Sequence, residues 1–196
     1  MTMNSLSRRT VVRSWLALPF MSALSTPMGR LAAQSLQLPL TPQCGASEPP
    51  TRAQTEGPFF TPDTPVKRDF RSDGPGDPIN LVGFVLTPDC RPVAGALIEL
   101  WHADGSGRYD NRDYHFRGHQ FADDQGRFVF ETVMPGLYPG RTRHFHMKVQ
   151  PKGGKVLTTQ LYFPDEPGNR RDGIFHDSLL MQIDSCLLYT SPSPRD

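Results

Sequence analysis

The sequence predicts an all-β fold, an antiparallel β-sandwich with long loops, and three observations carry that expectation. The chain holds 20 prolines and 17 glycines in 196 residues, an enrichment over the roughly 12% typical of the pair that favours short strands and turns over a helical bundle. Runs of β-branched and aromatic residues recur between turn residues. No amphipathic stretch of three helical turns separates them, which argues against β-α-β units and a parallel sheet.

Each element follows from its local chemistry. Residues 34–77 are rich in Pro, Thr, Gly and Ser without sustained periodicity and are expected to wrap the core as loop. A buried strand is expected over 79–86, between Asp77-Pro78 and Thr87-Pro88-Asp89, and a second over 96–102 after the Gly95 turn, with Trp101 in the core. Further strands are expected over 127–132, 143–149 and 157–163, giving a sandwich domain over 78–185.

Both ends call for separate reading. Arg8-Arg9, a short apolar run through Leu24 and the small pair Ala32-Ala33 mark residues 1–33 as a twin-arginine signal peptide, predicting export to a periplasmic or extracellular compartment. The apolar run is too short to span a bilayer. Residues 186–196 resemble the translated read-through of a sequencing adapter, so the tail is read as an artefact and the last strand of the sandwich as cut short. Setting Cys186 aside leaves Cys44 and Cys90, an even pair that an oxidising compartment can join as a disulfide, with two unrelated thiols as the other reading. Lys and Arg total 21 against 20 for Asp and Glu, and a net charge of +1 gives no basic field for nucleic acid.

The strongest chemical signal is Arg141-Thr142-Arg143-His144-Phe145-His146. Side chains alternate along a strand, so His144 and His146 share one face while Phe145, Met147 and Val149 fill the other, and two imidazoles on one face can grip one metal ion. A His-x-His pair alone leaves zinc and iron open. No carboxylate lies in the adjoining pieces of chain, although Asp123 and Asp124 stay open. Two tyrosines sit in constrained turns: Tyr109 after Asp104-Gly105-Ser106-Gly107, and Tyr138 within Pro135-Gly136-Leu137-Tyr138-Pro139-Gly140. A zinc hydrolase built on the same pair lacks an evident general base. His102, His115, His119 and His176 are read as structural or surface residues.

Gly105-x-Gly107-x-Tyr109, Pro135-x-x-Tyr138, Arg141-x-x-His144-x-His146 and Thr158-Thr159-Gln160, with Thr55-Glu56-Gly57-Pro58-Phe59-Phe60 upstream, together resemble the intradiol ring-cleavage dioxygenases of the catechol and protocatechuate type. The resemblance implies a β-sandwich holding a mononuclear non-haem ferric ion, Fe(3+), through Tyr109, Tyr138, His144 and His146. It implies Arg141 and Gln160 as catalytic residues, and Tyr138 as the ligand that leaves the metal and takes a substrate proton. A small aromatic diol and O2 are the implied partners; a homo-oligomer stays open. Phe60 stands where many members carry a tyrosine. Pro92-Val93-Ala94-Gly95-Ala96, Asp123-x-x-Gly126-Arg127-Phe128-x-Phe130 and Pro135-Gly136-x-Tyr138 also resemble exported transthyretin-like binding modules, a non-catalytic alternative that leaves His144, His146, Arg141 and Gln160 without a purpose.

Overall fold

A computed structural model describes residues 49–183, so the signal-peptide, Cys44 and tail readings fall outside the described residues. Cys90 is disulfide-bonded. Six strands run in the order β1 (Pro78–Phe84), β2 (Leu97–Trp101), β3 (Arg117–Phe121), β4 (Arg127–Val133), β5 (His144–Gln150) and β6 (Leu157–Tyr162). Every strand pairing is antiparallel, with β1-β4 forming one sheet and β3-β2-β5-β6 the other.

The strand period of two sorts the side chains. Ile79 and Leu81 of β1, Phe128 and Phe130 of β4, Ile98 and Leu100 of β2, Phe145, Met147 and Val149 of β5 and Leu161 of β6 merge into one buried core. The opposite face of the four-stranded sheet carries polar and aromatic residues in register. Trp101, His146 and Gln160 stand side by side across β2, β5 and β6, and His144 stands beside Tyr162. That face would be solvated in a bare sandwich; here Trp101, His144, His146, Gln160 and Tyr162 on it are buried.

Two expectations change. β3 is an additional strand: Arg-Gly-His-Gln-Phe offers no apolar alternation, and its Arg117 is buried by donating to the carbonyl oxygens of Phe59 and Asp110 and to the Asn111 side chain. Trp101 is buried but belongs to the outer face, beyond the core cluster. After β6 the chain passes two short 3-10 turns, Asn169–Arg171 and Asp177–Leu179, and returns to β6, where the Met181 amide donates to the Tyr162 carbonyl at 2.8 Å. No helix among the described residues is long and apolar enough to cross a membrane.

Candidate metal centre

The site grows from the outer face of β5. His144 and His146 are 4% and 2% exposed, so this stretch of β5 presents them to the protein interior and not to solvent. The His144 Nδ1 lies 2.6 Å from the Thr142 carbonyl oxygen, which can only accept; Nδ1 therefore carries the proton and Nε2 is left with its lone pair. The two Nε2 atoms converge to 3.1 Å. Burial pushes the His144 imidazole down to about 4, helped by the Arg141 charge and opposed by the Thr142 carbonyl. His146 is driven well below the ordinary histidine range, first by burial and then by the neighbouring His144 and Arg141. Both rings are thus neutral at pH 7, the form that binds a metal.

The tyrosines arrive on two loops joined by a glycine seam. The Asp104 carboxylate accepts from the amides of Ser106 at 2.8 Å and Arg108 at 2.9 Å, folding the turn that presents Tyr109. Gly107 has φ +81°, and a Cβ there would fall 2.1 Å from the Leu137 carbonyl oxygen, so only glycine lets the two loops touch. The contact brings the Tyr109 and Tyr138 rings edge to face, centroids 5.8 Å apart. The Tyr109 hydroxyl reaches to 3.4 Å of His144 Nε2. Burial raises its pKa, with the Arg141 and Arg117 charges pulling back. Tyr138 joins through ring contacts, with Tyr109 and edge-on to Phe59 at 5.2 Å.

The segment from Arg52 to Phe60 straps across β5 and β6 and roofs the site. The Arg52 carbonyl accepts from the Thr159 hydroxyl at 2.8 Å, the Thr55 carbonyl from Gln160 Nε2 at 2.8 Å, and Glu56 pairs with Lys148 at 2.9 Å. Phe59 stacks on Tyr109 with centroids 4.3 Å apart, and Phe60 packs edge-on against Trp101. Gly57 adopts φ +70°, and a Cβ on it would press to 3.3 Å from His146 Cε1.

Arg141 sits beside this cluster, with Nη2 donating to Gln160 Oε1 at 2.6 Å and Nε to Asp172 Oδ2 at 2.8 Å. The Tyr162 hydroxyl also donates to Gln160 Oε1, at 2.9 Å. Gln160 is fully buried, which excludes a water-facing strand position. The resemblance singled out Arg141 and Gln160; the structure adds a buried carboxylate, Asp172, 31 residues downstream and outside every motif. A cavity of about 430 Å³ opens beside Arg141, bounded by Leu137, Gly140, Thr142, Pro167 and Gly168 among others.

The other histidines stand apart. His102 is buried with both ring nitrogens satisfied, by the Ala103 carbonyl and the Thr132 hydroxyl at 2.7 Å each. His119 is half-buried, and His115 and His176 are exposed. Asp110, Asp113 and His115 bring ligand atoms within 4.8 Å of one another, but on the surface.

The donor set suits a hard, trivalent ion. Two neutral imidazoles with their Nε2 atoms 3.1 Å apart have the spacing adopted when each lies ~2 Å from one ion at about a right angle. Two phenolic oxygens supply hard anionic donors once deprotonated, the character that favours Fe(III) over softer divalent ions.

The comparisons place the chain in the family that this site suggests. The family model described as Dioxygenase matches residues 55–183, and the chain belongs to that family. It is 30% identical over 158 residues to the hydroxyquinol 1,2-dioxygenase of Rhizobium sp. (strain MTP-10005), covering 67% of this chain and 52% of that protein. The chain therefore spans about half the length of this curated relative. Its fold matches the dioxygenase domain of a dioxygenase and carbohydrate-binding protein fusion from Streptomyces sp. SirexAA-E with TM-score 0.71 and 45% identity, covering 75% of this chain and 97% of that one. It also matches 3-chlorocatechol 1,2-dioxygenase from Rhodococcus opacus 1CP with TM-score 0.67 and 27% identity, covering 75% and 72%.

Proposed function

We propose that this protein is a non-haem Fe(III) dioxygenase that cleaves a catechol-type ring between its two hydroxyl-bearing carbons with O2, both oxygen atoms entering a muconate-type diacid. The observation that carries the reading is the buried convergence of His144 Nε2, His146 Nε2 and the Tyr109 hydroxyl under an aromatic roof. Tyr109, Tyr138, His144 and His146 would hold the ion, whose Lewis acidity favours the deprotonated diol. Names of relatives that act on hydroxyquinol and chlorocatechol support a catechol-type substrate.

The remaining chemistry belongs to the chain's own residues. Tyr138, half-buried on its loop, accepts a proton from a diol hydroxyl as a phenolate. Arg141 supplies a fixed positive charge that favours the electron-rich ring and the negative charge that grows as the ring opens. Gln160, anchored by the Thr55 carbonyl, holds one end of that guanidinium. Phe59 and Phe60 exclude water from the histidines' side of the site, strengthening each electrostatic contact within it. A binding module without metal gives no account of two neutral, buried imidazoles aimed at one point.

The deciding experiment measures iron per chain, a visible tyrosinate-to-iron charge-transfer band, and oxygen uptake with a panel of catechols. Stoichiometric iron with one diacid formed per O2 consumed supports the proposal; an iron-free, colourless protein inert to every diol overturns it. We also propose export through the Arg8-Arg9 leader, tested by whether an Arg8→Lys, Arg9→Lys variant stays in the cytoplasm.

A further inference from the structure

Asp172 carries more than one bond. Its side chain is 1% exposed. Oδ2 accepts from Arg141 Nε at 2.8 Å and from the Thr142 amide at 3.0 Å, and Oδ1 accepts from the Ile174 amide at 3.1 Å. The other end of the Thr142 residue is its carbonyl, which takes the proton of His144 Nδ1. Thr142 is fixed at its side chain too, donating to Asn169 Oδ1 at 2.7 Å. The aspartate itself cannot drift, because its own amide donates to the Gly168 carbonyl at 3.1 Å and its carbonyl accepts from Phe175 at 3.1 Å.

One carboxylate oxygen therefore holds both the guanidinium and the residue that orients a histidine. The bond to Nε fixes the guanidinium plane from its stem side. Nη2 is spent on Gln160 and Tyr162, and Nη1 has no hydrogen-bond partner among the described residues. We infer that Asp172 is a positioning residue for ring cleavage, locking the Arg141 fork so that Nη1 is the donor edge left for substrate, and steadying His144 through Thr142. A buried ion pair contributes little net stability against a neutral isostere. Its place here, with Oδ2 shared between Arg141 and Thr142 while Oδ1 is held by the Ile174 amide, points to geometry instead.

The inference rests on the dioxygenase reading, and its test separates the two. Parent, Asp172→Asn, Asp172→Ala and Arg141→Met proteins are loaded with iron and compared by iron content, charge-transfer band, and kcat and KM for catechol. The asparagine keeps an acceptor and the shape, so it should fold, retain its iron and band, and lose about tenfold in kcat with KM changed less than threefold. The alanine should lose on the order of a hundredfold in kcat, with weaker iron retention through His144. Should the alanine variant fail to fold, the asparagine variant decides the matter alone. In the Arg141→Met background Asp172→Asn should cost nothing further, because the aspartate acts through the arginine. Parent-like kcat in the asparagine variant, or losses that simply multiply in the double variant, overturns the inference while leaving an active parent intact. An iron-free, inactive parent overturns the dioxygenase reading and the inference with it.

Discussion

Trp101 lies flat on His146, ring centroids 5.0 Å apart and planes 10° from parallel, and this stacking takes the place of a hydrogen bond. His144 is oriented by a carbonyl oxygen at its Nδ1, whereas His146 Nδ1 is buried without a partner among the described residues. The two halves of the pair are thus aimed by different forces. Removing the indole should loosen only one of them: Trp101→Leu is expected to weaken iron affinity by about tenfold, in line with loss of a group that orients a metal ligand. Competition with a chelator measures it, and unchanged affinity would show that the stack is dispensable.

His146→Ala should abolish iron retention. It deletes one of the two converging Nε2 atoms, and no carboxylate among the described residues is hydrogen-bonded to either ring. Metal analysis of the purified variant checks this; full iron content with the parent's colour would remove His146 from the donor set.

Tyr109→Phe and Tyr138→Phe should differ. Tyr109 touches His144 and is wedged under Phe59, so its loss should disturb the metal with or without substrate. Loss of the Tyr138 hydroxyl, on a ring that packs edge-on against Phe59 and Tyr109, should chiefly slow deprotonation of the diol. Matching spectra for the two variants with bound catechol would contradict separate roles.

Arg141→Lys should keep iron and lose on the order of 10²-fold in kcat, since an ammonium cannot bond Asp172 and Gln160 at once as the planar fork does. Affinity for the diol should fall less than turnover. A variant that bound substrate weakly yet turned over at the parent rate would make Arg141 a binding residue only.

Acid should destabilise the metal-free chain through a buried histidine outside the candidate donor set. Burial depresses the His102 imidazole to about 4, against the pull of the Ala103 carbonyl, while in the unfolded chain it titrates near 6.5. Below about 6.5 the unfolded state therefore binds the extra proton, and stability should fall as pH drops from there to about 4, by on the order of 3 kcal/mol for a full shift. Denaturant titrations of parent and His102→Asn across that window should show a shallower slope in the variant; equal slopes would assign the acid sensitivity elsewhere.

Local pattern carried the two sheets and most of the site into the sequence. His144, Phe145, His146 and Met147 alternate with the strand period, so their two faces can be read off directly. The tyrosine loops are legible because glycine and proline force their turns. β3 is not, since its buried Arg117 is made tolerable by the Asn111 side chain and by carbonyl groups 7 and 58 residues away. Asp172 is hidden for the same reason: its partners lie 30 and 31 residues upstream, and an Asp-Gly pair in a Pro-rich stretch reads as an ordinary turn. Trp101 looked like core because period alone says which residues share a face, not which face is covered by a distant strap.

That strap also governs how this domain can be joined to anything else. Arg52 through Phe60 contribute no candidate donor atom, yet they supply the wall against Tyr109, the stop beneath Gln160 and the close approach to His146. A fusion or trimming point chosen at the first strand, Pro78, would preserve every candidate ligand and leave the site open to bulk water on its upper side. The functional boundary of the domain therefore lies upstream of Arg52, some way outside the sheet that carries His144 and His146.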